Sequence, residues 1–248
     1  MKLIFIKKYI FIIISLILIF LYKKIRVAIC TMVKKENLYI KEFIKYYDKL
    51  GIDTIFIYDD NDNNTERIKD VIPNNIKVKV IIFENIKKTI KKQSNAYTHC
   101  YNHNNNNKKY DWFLMIDIDE YLIIKKNTLK KYLNSLYLKK CDFIKINWVI
   151  PTDNNLIYYD NRTLFERFSG KKLKSIYTKS IIRGNIEGLI YWVHVPYNSS
   201  KKIIACDNRG EIINSEYIKS SKNSNINYDK AYFMHFSYKS AQEYLQLI

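Results

Sequence analysis

Glycine and proline are scarce in this chain, with 5 and 3 among 248 residues. Its loops must therefore lean on asparagine and aspartate, which build turns through their own side chains. There is no glycine-rich phosphate loop, neither GxGxxG nor GxxxxGK[ST], which removes the usual Rossmann dinucleotide and Walker-type sites. The four cysteines, Cys30, Cys100, Cys141 and Cys206, are widely spaced and form no CxxC, which excludes a zinc knuckle. A disulfide is open to them if the domain is lumenal, and Cys30, inside an apolar run, reads as a small core residue. A formal charge of +18 comes without an arginine-rich stripe or a recognition-helix pattern, so nucleic acid is not expected as a partner. The basic surface suits anionic nucleotides or polyanionic acceptors instead.

Hydrophobic residues make up 48% of the chain and aromatics 15%, enough for a sizeable core and too many for intrinsic disorder. Tyr9 to Tyr22 is an uncharged apolar run flanked by Lys7, Lys8, Lys23, Lys24 and Arg26. As a helix it spans about 21 Å, short of a hydrocarbon core of about 30 Å. Adding Leu3 to Ile6, with the lysines snorkelling, lets it cross. No small-residue cleavage site follows, so residues 1–25 are expected to be a retained single-pass membrane anchor, of Golgi/ER type II kind in a eukaryotic host. Basic residues flank both sides and leave its orientation open. No repeat or linker interrupts 26–248, which reads as one catalytic domain.

Within that domain, strand-like and helix-like segments alternate. Ile25–Met32 is a β-branched run; Ile40, Phe43, Ile44, Tyr47 and Leu50 recur at helical spacing before a stop at Gly51. A second strand runs through Tyr58, a short helix ends before Pro73, and Ile76–Glu84 is a third strand. Gln93–His103 reads as a helix, "DWFLMIDID" as a fourth strand, Thr128–Leu136 as a helix capped by Asn127, and "CDFIKINWVI" as a fifth strand. This alternation predicts an α/β fold, a mostly parallel sheet flanked by helices. Past Pro151 the pattern fades into shorter strand-like runs.

Ligands of such sheets sit outside the carboxyl ends of the strands. Two acidic clusters fall there: Asp59, Asp60 and Asp62 after the second strand, and Asp117, Asp119 and Glu120 after the fourth. In extended chain Asp117 and Asp119 share a face while Ile118 points inward. Two carboxylates so placed suit Mg²⁺ or Mn²⁺, which bind through one or two carboxylates plus substrate phosphates. Glu120 reads either as an orienter behind that pair or as a solvent-facing neighbour. A solvated strand exit, with caps and surface lysines, would produce the same triplet.

The segments "VAICTMVKKENLYIKEFIKYYDKLGIDTIFIYDDND", "QSNAYTHCYNHN" and "YDWFLMIDIDEYLII", with the later "RTLFERF", "VHVP" and "FMHFSYKSAQEYL", together resemble the GT-A glycosyltransferases, most closely family 92 and family 2-like enzymes. The likeness covers 26–248 and is tightest over 26–125. It implies a GT-A (Rossmann-like) fold and an inverting transfer from a nucleotide-sugar donor, a UDP-sugar such as UDP-galactose, to a glycan or other hydroxyl acceptor. It also implies that Asp117 and Asp119 grip Mn²⁺ or Mg²⁺, with His235 completing the metal or diphosphate site. Asp59 is placed near the base or ribose, Thr31 and Glu36 line the nucleotide pocket, and Gln93 opens the helix before the metal-binding strand. An inverting reaction needs a carboxylate base, for which Asp153 and Glu166 are the candidates by position. For Glu166, a structural pair with Arg167 is the competing reading. The stretch "NWVIPTDNNLIYYD" lacks the Gly-rich turn of the family. That departure motivates the alternative of a catalytically inactive sugar- or nucleotide-binding membrane protein.

Other polar features read as structural. "DDNDNNTE" is not a calcium loop, because glycine is missing at position six and Val71 stands at position twelve. His99 and His103 lie at i, i+4 without HExxH. His194 reads equally as an acceptor-side group or a strand cap, and Lys179, beside Ser180, as an exposed lysine or, less readily, as a group reaching phosphate. Sequons begin at Asn63, Asn161 and Asn198.

Overall fold

The structure is a computed structural model that describes residues 25–61, 67–83, 92–105, 109–192, 194–198, 200–214, 218–223 and 225–247. The expected membrane anchor, apart from Ile25, lies outside the described residues, as do Asp62 and Asn63. Among the described residues no helix is long and apolar enough to cross a membrane.

The first half follows the alternation. β1 (Val27–Val33) leads to α1 (Asn37–Leu50), β2 (Thr54–Asp59), β3 (Lys79–Phe83), α2 (Lys92–Asn105) and β4 (Trp112–Met115). β1 pairs in parallel with β2 and β4, and β2 in parallel with β3. Alternate residues of each strand therefore serve opposite faces. Val27, Ile29, Ile55, Ile57, Trp112 and Leu114 pack with α1 through Phe43, Ile44 and Tyr47. Ala28, Cys30, Phe56, Phe113 and Met115 pack with α2 through Ala96, Tyr97 and Tyr101. Gly51 ends α1 at φ 92°, and its N–H returns to the carbonyls of Tyr47 and Asp48. Only glycine takes that conformation without strain.

The second half departs from the expected simple parallel continuation. β5 (Glu120–Ile124), α3 (Leu129–Leu133) and β6 (Phe143–Pro151) are followed by α4 (Leu164–Arg167) and β7 (Lys172–Arg183). Then come β8 (Leu189–Trp192), β9 (Val195–Asn198), β10 (Ala205–Cys206), β11 (Ala231–His235) and α5 (Ala241–Leu247). The main sheet runs β3-β2-β1-β4-β7-β6-β11-β5, with β10 on β6. β7 enters antiparallel between β4 and β6, so β6 never touches β4. At 12 residues β7 is longer than any run expected past Pro151. α3 is shorter than expected, and Thr128 caps it rather than Asn127.

Two disulfides cross-link these halves internally: Cys30–Cys100 ties β1 to α2, and Cys141–Cys206 ties the approach to β6 to β10. Cys30 is thus a bonded residue as well as a buried one.

Candidate functional site

The carboxyl ends of β1, β2 and β4 face one edge because the strands are parallel. Chain leaving β4 turns at once. Residues 117–119 form a turn rather than extended strand, and the Glu120 N–H donates to the Asp117 carbonyl at 3.1 Å. Asp117 and Asp119 therefore do not share a face as strand neighbours; each has its own set of partners. Ile118 goes into the core, as expected.

Asp117 is densely held. Its Oδ1 accepts from Gln93 Nε2 and from the Tyr97 hydroxyl, each at 2.6 Å, both from the first turns of α2. Its Oδ2 accepts from Lys179 Nζ at 2.6 Å. Lys179 is not a surface residue: it is completely buried in β7, 3.5 Å from Glu120 Oε2 and with the Tyr97 ring 5.8 Å away. Burial alone would depress the Lys179 pKa; the charges of Asp117 and Glu120 outweigh it and raise it above the ordinary lysine value. Glu120 is buried too, accepts from the Asp117 N–H at 2.9 Å, and has its Oε1 without a partner. Desolvation pushes the Glu120 pKa up to about 8, against the opposing charge of Lys179 and with help from Asp117. Glu120 is therefore an orienter of the Asp117 backbone.

Asp119 has looser company. His235, at the end of β11 and in register with Glu120, brings Nε2 to 3.4 Å from Asp119 Oδ2. Lys239 Nζ stands 3.9 Å from the same oxygen. Burial would raise the Asp119 pKa, but the His235 hydrogen bond and the charges of His235, Lys239 and Lys179 bring it down to about 2. For His235 burial works downward and is outweighed by Asp119, so its pKa is raised. A strand irregularity at Trp148 in β6 sets that indole 4.2 Å from the His235 ring and 5.4 Å from His194. Glu36, at the start of α1, is pushed up to about 8 by burial and then by Asp119, with Lys239 opposing. Lys239 is also held by the Phe236 carbonyl and lies over the Tyr39 ring at 4.6 Å. Beside it Arg167 meets both Glu243 oxygens at 2.9 Å, and Tyr39 donates to the same carboxylate, so α4 and α5 lock the segment that carries Lys239.

The other candidates divide. Thr31 is buried in β1 with an unpartnered hydroxyl, and Gln93 is at the centre, on Asp117. Asp59 is spent on its own turn, accepting from the Asn61 and Ile68 N–H groups. Asp60 pairs with Lys92 at 2.8 Å. Glu166 does not pair with Arg167: its Oε2 takes both the N–H and the hydroxyl of Thr163 in a capping box on α4, and it is exposed. Asp153 is exposed, with the Asn155 N–H on its Oδ1. His99 and His103 stack at 5.2 Å, and Tyr58 meets His99 Nδ1, a packing role. The sequence reading missed Lys179, Tyr97 and Lys239. Only the motif around His235 gave a hint of the last, and Lys179 read as an exposed lysine rather than as a buried partner of the acids.

A divalent ion fits this set at one carboxylate. Asp119 Oδ2 and His235 Nε2 converge, and His235 Nδ1 is buried without a partner. Asp117 already accepts from three protein donors, two on Oδ1 and one on Oδ2. Among the described residues no trio of His, Cys, Asp or Glu is placed to hold a metal, so ligands from a phosphate would be needed to complete the shell.

Fold and site together define a mixed α/β domain with a charge-compensated acidic centre at its sheet edge. The sequence profile of glycosyltransferase family 92 matches residues 23–246, and the chain belongs to that family. A glycosyltransferase family 92 protein of Ricinus communis is 30% identical over 94 residues, which are 38% of this chain and 16% of the relative. The chain thus spans about a sixth of that relative's length. The crystal structure of HddC from Yersinia pseudotuberculosis overlaps 90% of this chain and 98% of its own, at TM-score 0.39 and 12% identity. That overlap is too loose for anything about this chain to follow from it.

Proposed function

We propose that the chain is a metal-dependent GT-A glycosyltransferase, transferring a sugar with inversion from a UDP-sugar, UDP-galactose among the candidates, to a hydroxyl of a glycan acceptor. The observation that carries this reading is the convergence of Asp119 and His235 at the carboxyl edge of the sheet, beside an Asp117 that the protein neutralises by itself. Sugar transfer builds negative charge on the departing diphosphate. Asp119 and His235 would hold Mn²⁺ or Mg²⁺, which supplies Lewis-acid stabilisation of that charge when bound. Lys239 lies close enough to add positive charge on the same side. Gln93, Tyr97 and Lys179 keep Asp117 fixed, and Glu120 fixes the backbone between the two aspartates. Glu36 faces the nucleotide while Thr31 lies fully buried behind that face; at pH 7 Glu36 carries a proton and can donate a hydrogen bond to a phosphate or ribose oxygen.

Of the two carboxylates considered as base, we assign the role to Asp153. Glu166 is engaged by two Thr163 donors. Asp153 keeps Oδ2 open to an acceptor hydroxyl, and its charge reaches Tyr244, which also feels Asp119. The apolar segment 9–22 is proposed as a membrane anchor, with the domain on the oxidising side where its two disulfides persist.

The test is a donor panel with the full chain and Mn²⁺. UDP release is expected from one UDP-sugar and is lost in Asp119→Asn and in His235→Ala. Release that survives excess EDTA would remove the metal from the reading. UDP binding without turnover on any acceptor would favour the inactive binding protein instead.

A further inference from the structure

β8 and β9 form a small antiparallel sheet apart from the main one. Opposed residues share a face, so the register Ile190↔Tyr197 and Trp192↔Val195 puts these four on one side. The other side, with Leu189 and Tyr191, is buried on α2, where the Tyr191 and Tyr97 rings meet edge to face at 5.3 Å. The first side is open: Ile190 is 44%, Trp192 60% and Tyr197 36% exposed. In front of it lies a cavity of about 300 Å³ lined by Trp192, Val195, Pro196, Tyr197 and Lys219. A second hollow, of about 410 Å³, shares Pro196, Tyr197 and Lys219 with it and adds Lys201 and Lys202. Lys219 Nζ stands 5.3 Å over the Tyr197 ring. The two hollows meet at Pro196, Tyr197 and Lys219 and form a groove with aromatic lining at Trp192 and cationic lining at Lys201, Lys202 and Lys219.

The ribbon meets the acidic centre with its other face, where Tyr191 packs on Tyr97. Ser180, next to Lys179, donates to the His194 carbonyl at 2.7 Å and so fastens the β8–β9 turn to β7. Trp148 bridges from the His194 ring to that of His235. The groove is thus tied to the acidic centre through the ribbon rather than opening onto it.

Resting on the sugar-transfer reading above, we propose that this groove is an outer subsite for the acceptor chain and takes an acidic saccharide. A pyranose ring offers an apolar C–H face that stacks on Trp192 and Tyr197, the chemistry of a site that is mostly apolar with a few placed polar groups. A carboxylate, sulfate or phosphate on the neighbouring sugar meets Lys219, Lys201 and Lys202. The donor diphosphate would have partners of its own, a metal at Asp119 and His235 and the ammonium of Lys239.

The experiment compares wild type, Trp192→Ala and Lys219→Ala on an array of neutral and acidic glycans at 0.15 M salt, with the full chain in detergent. Calorimetry with UDP runs in parallel. Wild type is expected to bind acidic glycans, Trp192→Ala to bind them at least tenfold more weakly, and Lys219→Ala to lose the preference for acidic over neutral chains. UDP binding stays unchanged in both variants. Trp192→Ala keeps the net charge of +18, so unspecific attraction to polyanions would survive it. Unchanged array binding in Trp192→Ala, or a wild type that binds no acidic glycan, overturns the proposal. So does a variant whose only defect is weaker binding to phosphatidylserine vesicles, which would make the face a lipid contact. Failure of wild type to bind UDP counts against the donor reading and leaves the array result to judge this one.

Discussion

Asp117 and Asp119 are two residues apart, yet their surroundings differ in kind. Asp117 is gripped by three donors at 2.6 Å, one of them a fully buried ammonium. Asp119 has an imidazole at 3.4 Å and an ammonium at 3.9 Å, both beyond a tight hydrogen bond. By its hydrogen bonds Asp117 is the closed member and Asp119 the open one, although the Asp117 side chain is the more exposed of the two, 28% against 17%. A paired-acid motif can therefore divide its work, one member securing the turn and its neighbour meeting the substrate.

The largest expected effect follows from the open member. Asp119→Asn should lower UDP release by at least about 1,000-fold, roughly 4 kcal/mol of barrier. If the two acids were equivalent, Asp117→Asn would do the same, whereas its expected first effect is on stability. Lys179→Met probes the closed member directly. It strands Asp117 and Glu120 without their cation and should cost about 3–4 kcal/mol in urea unfolding, near the figure for breaking buried pairs. A double variant, Lys179→Met with Asp117→Asn, should recover part of that loss; a strictly additive result would contradict the pairing.

Reduction of the disulfides comes next. Cys30→Ala with Cys100→Ala should lower stability by about 2–4 kcal/mol and weaken UDP binding, because this bridge holds α2, which carries Gln93 and Tyr97. The Cys141–Cys206 pair, remote from α2, should affect stability alone.

Two smaller effects complete the series. Burial, and then the charge of Lys179, lower the His194 pKa to about 4 from an ordinary 6.5. Between those values the unfolded chain binds the extra proton, so His194 makes stability fall as pH drops from 6.5 to 4. His194→Gln should flatten that slope by about 1–2 kcal/mol across the window, read from unfolding curves at several pH values. Glu166→Ala removes half of the capping box and should cost about 1 kcal/mol with turnover kept. A turnover loss of a hundredfold would return the role of base to Glu166.

The parallel half of the fold was readable because each strand alternates between two buried faces and α1 closes on Gly51. Its acids could be placed at one edge for the same reason. The insertion of β7 was not readable. Its sequence KLKSIYTKSIIR mixes lysines with apolar residues, as an exposed strand would. Lys179 looked like surface because burying a lysine is normally unfavourable, and the acids that make it favourable lie more than fifty residues away in sequence. The disulfides were hidden for a similar reason: their partners are 70 and 65 residues apart and meet only once the sheet forms.

The position of Lys179 also bears on how the molecule is made. It follows Asp117 by 62 residues and reaches the acids only when β7 slots between β4 and β6. At about 5–20 residues per second, a ribosome delivers it roughly 3–12 seconds after Asp117. Over that interval the acids lack their ammonium counterpart, and the nascent β4 has an unoccupied side where β7 will dock. The central sheet is thus completed from the middle late in synthesis, and arrest of the nascent chain before residue 179 should leave β1–β4 exposed to chaperones.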